Sequence, residues 1–192
     1  LFTPDLGMDQ ITAYPYKASA NPVLQADKPI ILNATPGSGP RHMSFSKNGK
    51  LIYVIEELTG TVSVYQIQKG VSKKVQTVAT HPANFNGQAG SADIHLSPDE
   101  KYLYVSNRGN ENNITKLTIL ESGLINPEKN NYFSSKGIKP RNFTISKDGK
   151  WLLVANQDSD NIVVYKINPT NGDLMDTGNE IKVSMPVCLL LF

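Results

Sequence analysis

Apolar and polar residues alternate in short runs along most of this chain, the period of two that half-buried strands show. The runs are rich in Val, Ile, Leu and Tyr, and the breaks between them in Asn, Asp, Gly and Pro. Residues 41–46 and 50–55 predict the arms of a hairpin turning at Asn48-Gly49, a dipeptide that accepts the positive φ such turns require. A third strand is expected at 61–65 and a fourth around 75–78, joined by a turn near Gly70. No window of 11–18 residues carries a helical stripe. The pattern is that of an all-β chain.

The hairpin recurs. Arg41-His42-Met43-Ser44-Phe45-Ser46 is followed by Asp93-Ile94-His95-Leu96-Ser97 and by Arg141-Asn142-Phe143-Thr144-Ile145-Ser146. The equivalent serines, Ser46, Ser97 and Ser146, lie 51 and 49 residues apart. The middle copy turns at Pro98-Asp99; the third turns at Asp148-Gly149 and adds outer strands at 162–165 and 180–183 around an Asn171-Gly172 loop. A period of about 40–50 residues with four strands per unit predicts β-propeller blades, four-stranded antiparallel sheets that bury their faces against one another.

The spacing from Asp5 to Ile11 matches that from Glu56 to Val62, so residues 1–38 read as a partial blade. Full blades are expected over 39–90, 91–138 and 139–185, with 186–192 as the inner strand of a closing blade. Seven such repeats would need roughly 350 residues, and the chain reads as the C-terminal part of such a ring. An open arc would leave apolar faces, so self-association, or pairing with absent N-terminal blades, is expected.

Composition narrows the function classes. A formal charge of +2 argues against a nucleic-acid surface, and no apolar run approaches the 18 or so residues of a membrane span. The single cysteine, Cys188, requires no oxidising compartment. A cytoplasmic protein is expected, with periplasm or secretion left open because the chain begins at Leu1 without a starting Met. Three histidines without ligand spacing predict no metal, and no nucleotide-binding or nucleophile-elbow motif occurs, so no cofactor is expected.

Candidate chemistry comes from positions that break the repeat. Arg41 and Glu57 are equally distant from the first turn and should meet at the hairpin mouth; the equivalent pairs are Ala92 with Arg108 and Arg141 with Gln157. Inner strands of a propeller share one direction, so these residues should face a common channel as three cations and one carboxylate. Such a funnel suits a small anionic ligand, since guanidinium groups grip phosphate or carboxylate with paired hydrogen bonds. The plain alternative for Arg41 with Glu57 is a cross-strand ion pair.

The same residues carry a resemblance. Gly39-Pro40-Arg41-His42, Tyr53-Val54-Ile55-Glu56-Glu57-Leu58, Tyr104-Val105-Ser106-Asn107-Arg108 and Asp148-Gly149-Lys150-Trp151-Leu152-Leu153-Val154-Ala155-Asn156 resemble the lactonase family of seven-bladed propellers, which includes 6-phosphogluconolactonase and 3-carboxymuconate lactonizing enzyme. The resemblance implies Arg41, Glu57 and Arg108 as catalytic residues. It also implies a histidine in an earlier blade, ahead of Asp5-Leu6-Gly7, that this sequence does not contain. The implied activity is hydrolysis of a phosphorylated sugar lactone. A carboxymuconate cycloisomerase or a non-catalytic binding propeller are the alternatives. His42 and Arg141 are expected to bind substrate.

His42 follows Arg41 directly and, in a regular strand, points to the opposite side. It aligns with Asp93 and Asn142, a repeated polar position. Asp93 and His95 are read as blade-to-blade hydrogen-bonding residues, His81 as a solvated loop residue, and Lys69, Lys73 and Lys74 as a solvated rim.

Overall fold

The computed structural model describes residues 1–68 and 71–191. They form four antiparallel sheets, each a meander of sequential strands. The first contains β1 (Phe2–Asp5), β2 (Gln10–Ala13) and β3 (Ile30–Asn33). The second contains β4 (Pro40–Phe45), β5 (Leu51–Glu56), β6 (Thr61–Gln68) and β7 (Val71–Ala79). The third contains β8 (Ser91–Leu96), β9 (Tyr102–Asn107), β10 (Asn113–Ile119) and β11 (Ile125–Ser134). The fourth contains β12 (Pro140–Ile145), β13 (Trp151–Asn156), β14 (Asn161–Ile167) and β15 (Leu174–Lys182). Among the described residues the one helical element is a single 3-10 turn, Gln157–Ser159.

The repeated serines are turn staples. Each hydroxyl donates to the Asx side chain two residues on, Ser46 to Asn48 at 2.8 Å, Ser97 to Asp99 at 2.7 Å and Ser146 to Asp148 at 2.6 Å. Each also accepts the backbone N–H five residues on, from Leu51, Tyr102 and Trp151, all at 3.0 Å. This local bonding closes the inner hairpin before any distant contact is needed.

Packing is sheet on sheet. β5 is buried along its whole length. Leu51, Tyr53 and Ile55 pack towards Ile94, Leu103 and Val105 of the third sheet, while Ile52 and Val54 meet Ile11 and Leu32 of the first. β9 repeats this, with Leu103 and Val105 on one side and Tyr104 against Phe143, Leu152 and Val154 of the fourth sheet on the other. Two tyrosines lock adjacent sheets in register: Tyr53 donates to the Gly123 carbonyl at 2.6 Å, and Tyr104 to that of Gly172 at 2.7 Å. The first strands also pack in series, β1 against β4, β4 against β8 and β8 against β12, making one continuous inner wall.

The turn near Gly70 lies outside the described residues, as do Lys69 of the basic rim and Phe192. The terminal inner strand expected over 186–192 is not a strand in its described part: residues 186–191 form no ladder. A strand exists only through a ladder partner, and residues 186–191 have none in the described structure; the Leu189 N–H instead donates to the side-chain Oδ1 of Asn142, on the edge strand β12, at 2.6 Å. No helix among the described residues is long and apolar enough to cross a membrane.

Candidate functional site at the mouth of the inner hairpins

The site begins with a backbone irregularity found in every complete inner hairpin. In the second sheet Pro40 pairs with Glu56 and the next pair is His42 with Ile55, leaving Arg41 as an extra, bulged residue. The fourth sheet repeats the shift at Arg141, and the third has it between Ser91 and Ile94. A bulge re-aims side chains that a regular pleat would send to opposite faces. It corrects the strand-alternation reading of His42: Arg41 Nη1 lies 3.2 Å from His42 Nε2, on the same side.

Gly39 sets up this bulge. Its φ of +64° is in the left-handed region, and a Cβ there would overlap the Leu58 side chain. The Gly39 carbonyl accepts the Glu57 N–H at 2.7 Å, which places Glu57 opposite Arg41. Asp9, in the β1–β2 turn, fastens the approach by accepting the N–H groups of Gly37 (2.7 Å) and Gly39 (2.8 Å). Those backbone bonds hold its carboxyl below the usual range.

Three of the expected residues converge. Glu57 bridges two sheets, its Oε2 2.9 Å from Arg41 Nε and its Oε1 2.7 Å from Arg108 Nη2. Arg41 Nη1 also donates to the Ala92 carbonyl at 2.6 Å, and Arg108 Nε to that of Gly90 at 3.2 Å. The three side chains retain 14, 24 and 16% exposure for Arg41, Glu57 and Arg108, enough to meet a ligand while shielded from bulk solvent. Burial, and then the nearby Arg108, lower the Arg41 pKa, against an opposing effect of Glu57; Arg141 adds to the lowering. Arg141 therefore shares the electrostatic field, but its only side-chain hydrogen bond among the described residues is to the neutral Gln157, at 3.4 Å.

Beneath the arginines runs a polar chain across the inner wall. Asp93 on β8 is 4% exposed; its Oδ1 lies 2.8 Å from His42 Nδ1 on β4 and its Oδ2 3.0 Å from His95 Nε2. Oδ2 also accepts Asn142 Nδ2 at 2.5 Å and the Phe143 N–H at 3.2 Å from β12. Burial alone would raise the Asp93 pKa, but the bonds from His42 and His95 outweigh it and leave the pKa well below the carboxylate range. The equivalent positions His42, Asp93 and Asn142 thus join three sheets. A groove of about 400 Å³ runs beside them, lined by Phe2, Pro4, Arg41, His42, Asp93 and His95. Two other cavities, of about 290 and 440 Å³, lie at the opposite, turn end of the hairpins and contain none of these residues.

His81 differs from its expected solvated state. It is buried, paired through Nδ1 with Glu111 and stacked on Phe85 with ring centroids 4.3 Å apart. Its partners come from the loops after β7 and β9, which the local sequence around His81-Pro82 gives no means of juxtaposing. Glu56 is a buried structural carboxylate. It is 1% exposed and accepts from Thr61 at 2.5 Å and Ser63 at 3.0 Å, which separates its structural role from that of neighbouring Glu57.

The sequence profile of the family described as lactonase, seven-bladed β-propeller, matches residues 1–191. The chain belongs to that family. A 6-phosphogluconolactonase of Formosa agariphila is 40% identical over 199 residues, covering all of this chain and 54% of that protein. The periplasmic gluconolactonase PpgL of Pseudomonas aeruginosa superposes with a TM-score of 0.87 at 36% identity, over 96% of this chain and 51% of PpgL. A candidate 6-phosphogluconolactonase of Bacteroides uniformis gives the same TM-score at 40% identity, over 97% of this chain and 52% of its own. The chain spans about half the length of these lactonase-family relatives.

Proposed function

We propose that this lactonase-family chain serves the hydrolysis of a small anionic lactone, with 6-phosphogluconolactone as the preferred substrate. The observation that carries the reading is a carboxylate, Glu57, held between two guanidinium groups from different sheets, with a third arginine in the same field. A binder of anions gains nothing from a carboxylate among its arginines, whereas a hydrolase needs a proton acceptor there. The kinship with proteins named 6-phosphogluconolactonase and gluconolactonase supports the same chemistry.

In this reading the substrate's phosphate or carboxyl competes with Glu57 for the arginines, Arg141 contributing its less engaged guanidinium. Glu57 takes a proton from water as the water oxygen bonds to the lactone carbonyl carbon. Arg41 or Arg108 donates to the oxyanion that develops on the carbonyl oxygen. As the ring C–O bond breaks, the proton passes to the departing ring oxygen, and the product is an open-chain hydroxy acid.

The test is a direct assay of 6-phosphogluconolactone hydrolysis with Glu57→Gln, beside carboxymuconolactone as a second substrate. Turnover should fall by about 10² or more. An unchanged rate would remove Glu57 from the chemistry. Conversion of the muconate substrate alone would reassign the reaction to a cycloisomerase. Binding of gluconate 6-phosphate without turnover of either substrate would mark a binding module.

A further inference from the structure

We propose that His42, held as a single neutral tautomer by the buried Asp93, is a positioning residue that fixes the Arg41 guanidinium in the site. The inference rests on the reading of Arg41 as an anion-gripping group, but its geometric content can be tested apart from activity.

What each group can donate limits the arrangement. Arginine carries five N–H donors and no acceptor, so Nη1 of Arg41 can bond to His42 Nε2 only if that nitrogen presents its lone pair. A neutral imidazole with a bare Nε2 carries its proton on Nδ1, and His42 Nδ1 lies 2.8 Å from Asp93 Oδ1, an acceptor. The two contacts demand the same tautomer. The result is a continuous path: Asp93 accepts from His42, His42 accepts from Arg41, and Arg41 donates through Nε to Glu57, which also receives Arg108.

Arg41 is then held at two of its three nitrogens. Nη1 spends its two hydrogens on the Ala92 carbonyl and on His42, and Nε bonds Glu57. An incoming anion would meet the guanidinium at the 14% of the Arg41 side chain that stays exposed. Asp93 cannot turn away from His42 easily, because it is 4% exposed and bonds His95, Asn142 and the Phe143 N–H as well. Arg141 has no such support. The histidine's equivalent on β12 is Asn142, whose Nδ2 is spent on Asp93 and whose Oδ1 accepts from Leu189.

Protonation should undo the device. A proton on Nε2 turns an acceptor facing Arg41 into a donor carrying positive charge, so Arg41 loses a bond and gains a repulsion. The charged groups facing His42 are Arg41 on its own strand and Asp93 on β8, with His95 sharing Asp93 and Glu57 reaching Arg41 from the end of β5. Binding of an anion through Arg41 should therefore weaken once His42 carries a second proton.

Two readouts on the 192-residue chain test this. Long-range ¹H–¹⁵N spectra of the imidazoles should show His42 as the Nδ1–H tautomer at neutral pH, and Asp93→Asn, which can donate to Nδ1, should convert it to Nε2–H. A wild-type His42 in the Nε2–H form would overturn the proposal whatever the ligand data say. Calorimetric titration with gluconate 6-phosphate should give an affinity about tenfold lower for His42→Phe than for wild type at pH 8, and a pH dependence flattened in the variant. Equal affinity and an unchanged pH profile in a folded His42→Phe would also overturn it. If the wild type binds no gluconate 6-phosphate, the substrate reading fails and the tautomer alone decides the positioning role.

Discussion

The second and fourth sheets offer an internal comparison at their inner strands. Each carries an arginine at the same bulge, Arg41 or Arg141, next to a polar residue at the same register, His42 or Asn142. The backbone device is shared and the surroundings are not. Arg41 faces a carboxylate at 2.9 Å and a histidine fixed by a buried aspartate; Arg141 faces a neutral amide at 3.4 Å. A repeat can thus supply the aim of a side chain, while two differences between the copies, Glu57 against Gln157 and His42 against Asn142, set how firmly that side chain is held. On the proposed reading the first arginine stays in place and the second receives the anion.

The comparison breaks most readily at the arginines themselves. Arg41→Ala should lower 6-phosphogluconolactone turnover by about 10² to 10³, the loss typical of removing one oxyanion donor, whereas Arg141→Ala should raise KM by about tenfold with kcat nearly kept. Equal losses in kcat would erase the distinction between locked and receiving arginines.

The next effect is on stability. Asp93→Ala strips a buried charge of its place and leaves His42, His95 and Asn142 without their acceptor, which should cost about 3 kcal/mol in urea unfolding. Asn142→Ala removes one bond to the Asp93 carboxylate and the acceptor of the Leu189 N–H, and should cost about 2 kcal/mol. The pH dependence has a definite sign. Because the folded Asp93 has a depressed pKa, its stabilisation is complete above the ordinary aspartate value of about 4 and is lost as pH falls below it. Asp93→Asn should flatten that acid limb of the stability curve; an unchanged limb would show that other carboxylates carry it.

The smallest expected effect sharpens the comparison from the other side. Gln157→Glu would give Arg141 the carboxylate partner that Arg41 already has. A half-buried pair of this kind is modest in energy, so KM for the anionic substrate should rise only about two- to fivefold. A fall in KM would mean that Arg141 does not meet the anion.

Much of this was legible in the chain. The Ser-x-Asx turns of the inner hairpins, the alternation of β5 and β9 and the place of Glu57 opposite Arg41 all follow from local spacing, because hairpin register is set by residues within a few positions of the turn. Three features were not legible. The bulge at Arg41 leaves no mark in an alternating pattern, and it reverses the side to which His42 points. His81 reads as a loop residue because its partners Phe85 and Glu111 gather around it only in three dimensions. The terminal segment has a strand's composition, but a strand needs a neighbouring edge that composition cannot supply.

The chain by itself determined the repeat, the all-β class and the non-repeating charges at 41, 57, 108 and 141, since these depend on periodicity and on exceptions to it. Tertiary structure alone decided that Arg41 and Arg108 share one carboxylate and that Asp93 pairs with a histidine 51 residues away. The reason is physical: hydrogen bonds between sheets depend on how neighbouring sheets pack and where each strand bulges, and those are outcomes of burying all the sheets' faces together.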